Sequence, residues 1–174
     1  MKRIFFILTL ILLIGLSNCT RKYVVTCGVG DLESRPNIVS KIVRLERIAI
    51  ADTTITFVAG DILGKDSSEA GVVIDTLMAA LVVFTDKATN KMYGSQTDLQ
   101  GKYYCYLPAS TYDIKVQYIA YNTLVLRNVI LGAGDVVQFN AMLGQAGMRD
   151  QNAVYEMQAD KTIKIINQSG DTNK

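Results

Sequence analysis

The chain has 174 residues, 18 Lys and Arg against 16 Asp and Glu for a net charge of +2, and no histidine. A balance this even leaves no electrostatic footprint for nucleic acid, which needs clustered Lys and Arg against its phosphates. Without histidine there is no Ser/His/Asp or Cys/His relay, no His-based zinc site and no imidazole proton shuttle. A small hydrolase using paired carboxylates stays open in principle, but no motif places such a pair, so neither enzyme activity nor a metal or other cofactor is expected.

At the N-terminus, Lys2 and Arg3 precede Ile4 to Leu16, an apolar run broken only by Thr9 and Gly15. Its length falls short of the about 20 residues a membrane-spanning helix needs and matches the about 7–15 of a signal-peptide core, so residues 1–18 read as a cleaved signal peptide. The Leu16-Ser17-Asn18-Cys19 that closes this run resembles the lipobox of bacterial lipoproteins, with Asn18 where a smaller residue is usual. A conventional signal peptide followed by an incidental cysteine is the alternative. The resemblance implies cleavage before Cys19, lipidation of its thiol, and tethering to the membrane without spanning it. Each buried CH₂ contributes about 0.8 kcal/mol, so several chains hold where one alone is marginal. It also implies the bacterial envelope, on the outer membrane facing the periplasm, since Thr20 is not the Asp that marks inner-membrane retention. Losing Lys2 and Arg3 leaves 16 basic and 16 acidic residues and one domain's worth of chain.

Residues 19–52 read as the lipidated N-terminus and a tether, 53–143 as a β-sandwich, and 144–174 as a polar C-terminal extension. Within the tether, Ser40 to Ile50 fits helical or strand spacing and leans to strand. Asp61, Asp66, Glu69 and Asp75, interleaved with Gly64, Ser67, Ser68 and Gly71, read as a solvated loop; a calcium site would want tighter alternation of oxygen ligands. Seven β-runs follow one another: Thr54 to Ile62, Ala79 to Thr85, Lys91 to Thr97, Lys102 to Leu107, Tyr112 to Ile119, Thr123 to Leu131 and Val136 to Leu143. They predict an all-β, seven-stranded antiparallel Greek-key sandwich. Asp98-Leu99-Gln100-Gly101 is a turn with an Asx start and a glycine suited to positive φ, and Gly132-Ala133-Gly134-Asp135 is expected to close another hairpin.

Tyr103, Cys105 and Leu107 share one side of their strand, the core side, which makes Cys105 a small buried hydrophobe; pairing with Cys27 is the alternative. Tyr104 and Tyr106 then stand on the opposite face as an aromatic pair suited to an envelope protein partner or a glycan, with Lys115 and Gln117 outward on the neighbouring run. Beyond Leu143, residues 150–158 are expected as a short helix and 162–166 as an edge strand. This segment would either dock a partner or pack on the sandwich.

Between Phe57 and Leu143 stand Ala59-Gly60-Asp61-Ile62, Leu77-Met78-Ala79-Ala80-Leu81-Val82 and Thr97-Asp98-Leu99-Gln100-Gly101-Lys102-Tyr103. In these stretches the chain resembles the carboxypeptidase regulatory-like domain, a transthyretin-like (prealbumin-like) sandwich found in lipoproteins and receptors of Bacteroidetes-type bacteria. Leu107-Pro108-Ala109-Ser110-Thr111-Tyr112 and Tyr118-Ile119-Ala120-Tyr121 complete the likeness. Thr76, Ser110 and Ala120 depart from the pattern, standing where proline, a turn glycine and a second glycine are usual. A side chain at positive φ costs about 1 kcal/mol or more, so Ser110 is the expected point of strain. The resemblance implies structural turn roles for Asp98, Gly101 and Pro108, with Tyr103 and Tyr112 packing, and a stand-alone, non-enzymatic module that binds or scaffolds. A carbohydrate-binding accessory lipoprotein of a polysaccharide uptake system is the rival reading.

Overall fold

A computed structural model describes residues 38–68, 71–147 and 152–168. The expected signal peptide, Cys19 and Cys27 lie outside them. The described chain is all β, two sheets packed face to face, and contains no helix long and apolar enough to cross a membrane. Its strands are β1 (Lys41–Ile50), β2 (Ile55–Ser68), β3 (Gly71–Thr76), β4 (Leu81–Asp86), β5 (Met92–Gln96) and β6 (Lys102–Pro108). They continue with β7 (Ser110–Gln117), β8 (Leu124–Leu131), β9 (Asp135–Gly144), β10 (Ala153–Met157) and β11 (Ile163–Gln168).

One sheet runs β1-β9-β2-β3, with β6 also paired to β2; the other runs β11-β10-β8-β7-β4-β5. Most neighbours are antiparallel, but β2 pairs with β9 and β10 with β8 in parallel. The sandwich is therefore larger than seven strands and mixed rather than purely antiparallel. β1 joins it from within the residues read as tether. The acidic loop is the β2–β3 hairpin. The stretch expected as a C-terminal helix is β10, laid along β8, because five residues with Ala153 and Tyr155 inward satisfy a strand period as well as a helical one.

Alternation explains most strands. β6 reads exposed, buried, exposed along its whole length, as a strand does when one face packs on a core and the other meets water. Between the sheets, Val58, Ile62, Leu107 and Phe139 from one meet Phe84, Tyr112, Ile114 and Leu126 from the other in a single buried cluster. The Tyr112 ring packs edge-on against Phe84 and Tyr93. The residue that leads into β1 and the strand β10 are tied to this core by buried polar bonds. Ser40 Oγ donates to the Asn122 carbonyl (2.6 Å) and accepts from Gly144 N–H (3.0 Å), while Tyr155 Oη donates to the Ser40 carbonyl (3.0 Å).

Both glycine turns named above pass the chain between sheets instead of closing hairpins, since β5 and β6 lie in different sheets, as do β8 and β9. Strain also sits elsewhere than expected. Ser110 is absent from the left-handed region, and its hydroxyl donates to Asp86 Oδ1 at 2.7 Å. Ala120 has φ +64° and Ala79 φ +61°, the conformation in which a Cβ is disfavoured.

Candidate functional site

The site is built on the two faces of β6. Inward, Tyr103 donates its phenol to the Phe139 carbonyl (2.9 Å), and burial pushes that phenol's pKa well up. The bond needs β2 and β9 to run close together, which Gly60 permits, because a Cβ there would lie 1.9 Å from the Phe139 carbonyl oxygen. Cys105 is a free, buried thiol whose pKa is raised by desolvation, and Leu107 is fully buried.

Outward, Tyr104 and Tyr106 are 64% and 62% exposed. The strand beside them is β2, not β7, so Lys115 and Gln117 belong to the other sheet and do not join this face. What does join it is Phe57, directly opposite Tyr106 in the β2–β6 register, with Ala59 opposite Tyr104 and Asp61 opposite Lys102. The three rings touch: centroids are 5.1 Å apart for Phe57 and Tyr106, 6.4 Å for Phe57 and Tyr104, and 6.1 Å for the two tyrosines. Phe57 and Tyr104 are nearly parallel at 28°, but Tyr104 and Tyr106 meet at 72°. The result is a faceted apolar patch edged by phenol hydroxyls, with the Asp61–Lys102 pair at one end and Gln138, the β9 partner of Ala59, alongside. Phe57 escaped the sequence reading: its strand is visible there, but the strand it faces is set by long-range pairing.

The turn residues hold β6 in place. The Asp98 carboxylate accepts from Gln100 N–H and Lys102 N–H, each at 2.9 Å, and the Asp98 carbonyl accepts from Gly101 N–H at 3.0 Å. Gly101 has φ +73°, and a Cβ there would sit 2.8 Å from the Ile62 carbonyl oxygen. Thr97, a residue to which the sequence reading gave no separate role, is buried and ties this turn to the one before β4. Its hydroxyl donates to the Leu77 carbonyl and accepts from Ala80 N–H (2.8 Å). At the far end, the Pro108 carbonyl accepts from Tyr112 Oη at 2.8 Å, and burial raises that phenol's pKa to about 12. Asp86 accepts from Ser110, Thr89 and Ala88, and these bonds, Ser110's first, lower its pKa.

Elsewhere, a cleft of about 260 Å³ opens between the sheets where β1 and β11 form their edges. Its walls are Leu45, Leu131, Met157 and Ile163, and the ion pair of Arg47 with Asp135 (3.2 Å) stands at it. Among the described residues no group of three or more Cys, Asp or Glu is placed to hold a metal ion. No protein-family model matches the chain, and neither does any curated protein.

Proposed function

We propose that this chain is a non-enzymatic binding or scaffolding module of the bacterial cell envelope, anchored by lipid on Cys19, that holds a protein partner on the Phe57, Tyr104 and Tyr106 patch. The observation that carries the reading is the patch itself: three contacting rings, the two mostly exposed ones on β6, whose other face is locked into the core, and Phe57 on the neighbouring β2. Tyrosine gives large, rigid contact area with a hydroxyl for orientation, the combination enriched at the energetic centres of protein interfaces. The 72° between the tyrosines favours a partner's irregular side-chain relief over a ligand needing one flat surface across both rings. The anchor rests on the Lys2-Arg3, apolar run and Cys19 pattern, and the absence of enzyme activity on a sequence without histidine. Membership of the carboxypeptidase regulatory-like family is part of the proposal. It is supported by the Asp98–Gly101 turn, by Tyr103 and Tyr112 packing in the core, and by Ala120 adopting the positive φ of the glycine it would replace.

A glycan is the second reading, favoured by the near-parallel Phe57 and Tyr104 rings beside the polar Asp61, Lys102 and Gln138. The test is affinity purification of the tagged full chain from gently solubilised membranes, beside Cys19→Ala and Tyr104→Ala/Tyr106→Ala variants. A protein that co-purifies with the parent chain and is lost with both variants supports the proposal. Glycan binding that the double tyrosine variant abolishes, with no co-purifying protein, replaces it with the second reading.

A further inference from the structure

Sheet edges carry unpaired N–H and C=O groups, and folded proteins guard them with charge, proline, bulges or brevity. Among the described residues the edges are β1, β3 and β6 in one sheet and β5 and β11 in the other. Four of them are guarded. β1 breaks register against β9 twice and carries Lys41, Arg44, Glu46 and Arg47. β6 begins at Lys102 and ends at Pro108, β5 has only five residues with Gly94 at its centre, and β11 carries Lys164 and a register break against β10. β3 is the least guarded, with a single charge, Asp75, next to its last residue. Its register with β2 is unbroken, it contains no Lys, Arg or Pro, and its centre is Val72-Val73-Ile74, β-branched residues that are 61%, 48% and 54% exposed.

We propose that β3 is a homodimer contact, pairing antiparallel with β3 of a second copy of this chain about a two-fold axis through Val73 and perpendicular to the sheet. The argument for a second copy over a foreign strand is self-complementarity. In this register Val73 meets Val73, and Val72 meets Ile74 of the other copy twice, so all three cross-strand pairs are β-branched on β-branched. The strand's single charge, Asp75, falls at opposite ends of the pairing, and no like charges meet. An even register also keeps each residue on its own face. The outer faces of the two β2 strands then join into one surface, with both Phe57, Tyr104 and Tyr106 patches on the same side. The dimer would be bivalent toward a repeating partner, although the contact itself does not depend on what the patch binds.

The full chain, extracted in mild detergent, is examined by sedimentation velocity over a dilution series, beside Val73→Lys and Val73→Cys variants. Directly opposed residues in an antiparallel pair have Cα atoms about 4.5–5.5 Å apart, within disulfide reach. Val73→Cys should therefore give a disulfide-linked dimer on mild oxidation, where the parent chain with only its native cysteines gives none. Val73→Lys should abolish association while leaving the circular dichroism spectrum unchanged, since that side chain is already half exposed. A parent chain that stays monomeric at every concentration overturns the proposal and leaves this edge to a different partner. So does a dimer that Val73→Lys does not weaken, or a Val73→Cys chain that fails to cross-link.

Discussion

β6 and β3 lie end to end against the same side of β2, yet only β6 belongs to the core. Ile55 to Asp61 pair with β6, which alternates buried and exposed residues; Leu63 to Ser68 pair with β3, every residue of which is exposed. One long strand therefore does two jobs: its first half closes the sandwich, and its second half carries a strand out beyond it. The difference shows how a face or an edge becomes available for binding. β6 frees its outer face because its inner face is held by Tyr103, Cys105 and Leu107, whereas β3 pairs only with β2 among the described strands and exposes every one of its residues. A sharp break of the comparison is Leu107→Ala, which deletes a fully buried side chain from β6 and should cost about 3 kcal/mol, read by chemical denaturation. A loss under 1 kcal/mol would mean that β6 is no more part of the core than β3.

The next effect is at the turn that delivers β6. Gly101→Ala forces a side chain into the left-handed region and against the Ile62 carbonyl, for an expected loss of about 2 kcal/mol by thermal melting. Ala120→Gly tests the converse. It relieves a side chain already held at φ +64° and should raise stability by about 1 kcal/mol despite the entropy glycine adds to the unfolded chain. Opposite signs at the two sites would show that backbone conformation decides them.

Acid should loosen the other end of β6, where the chain crosses to β7. Asp86 is held there by Ser110, and its folded pKa lies below the ordinary value of 3.8. A lowered folded pKa means that the carboxylate stabilises the fold above the unfolded value and stops doing so as pH falls through the folded one. The melting temperature should therefore decline below about pH 4. Ser110→Ala removes the largest cause of the shift and should flatten that decline, whereas a profile identical in both chains would show that the corner does not depend on Asp86.

How much of this was legible in sequence follows the same contrast. Tyr103 to Leu107 announces its two faces because five residues alternate between core and solvent, and each of the other expected runs overlaps a strand for a related reason. β3 was invisible because Val72-Val73-Ile74 does not alternate and stands between a glycine and an aspartate, which resemble a loop. β10 was misread because five residues cannot separate a period of 2 from one of 3.6. The site was half legible: an outward tyrosine follows from alternation, but Phe57 joins it only through the β2–β6 register, which pairs residues about fifty positions apart. Ser110 was misjudged because its hydroxyl found a carboxylate across the corner, a partner no local pattern shows.

The smallest effect on stability should come from β3 itself. Ile74→Thr keeps the β-branch, and with it the preference for an extended backbone, while replacing a mostly exposed ethyl group by a hydroxyl that water can solvate. Little apolar area leaves water at this position in a single copy, so the stability of the monomer, measured by denaturation at high dilution, should change by no more than about 0.5 kcal/mol. If Ile74→Thr instead costs as much as a core truncation, something covers β3 in the folded chain, and the division between a core-bound first half of β2 and a projecting second half fails. If it costs nothing at high dilution yet weakens association at high concentration, the exposed residues of β3 serve contact between molecules, and the two strands beside β2 differ in what they hold together: β6 one chain, β3 two.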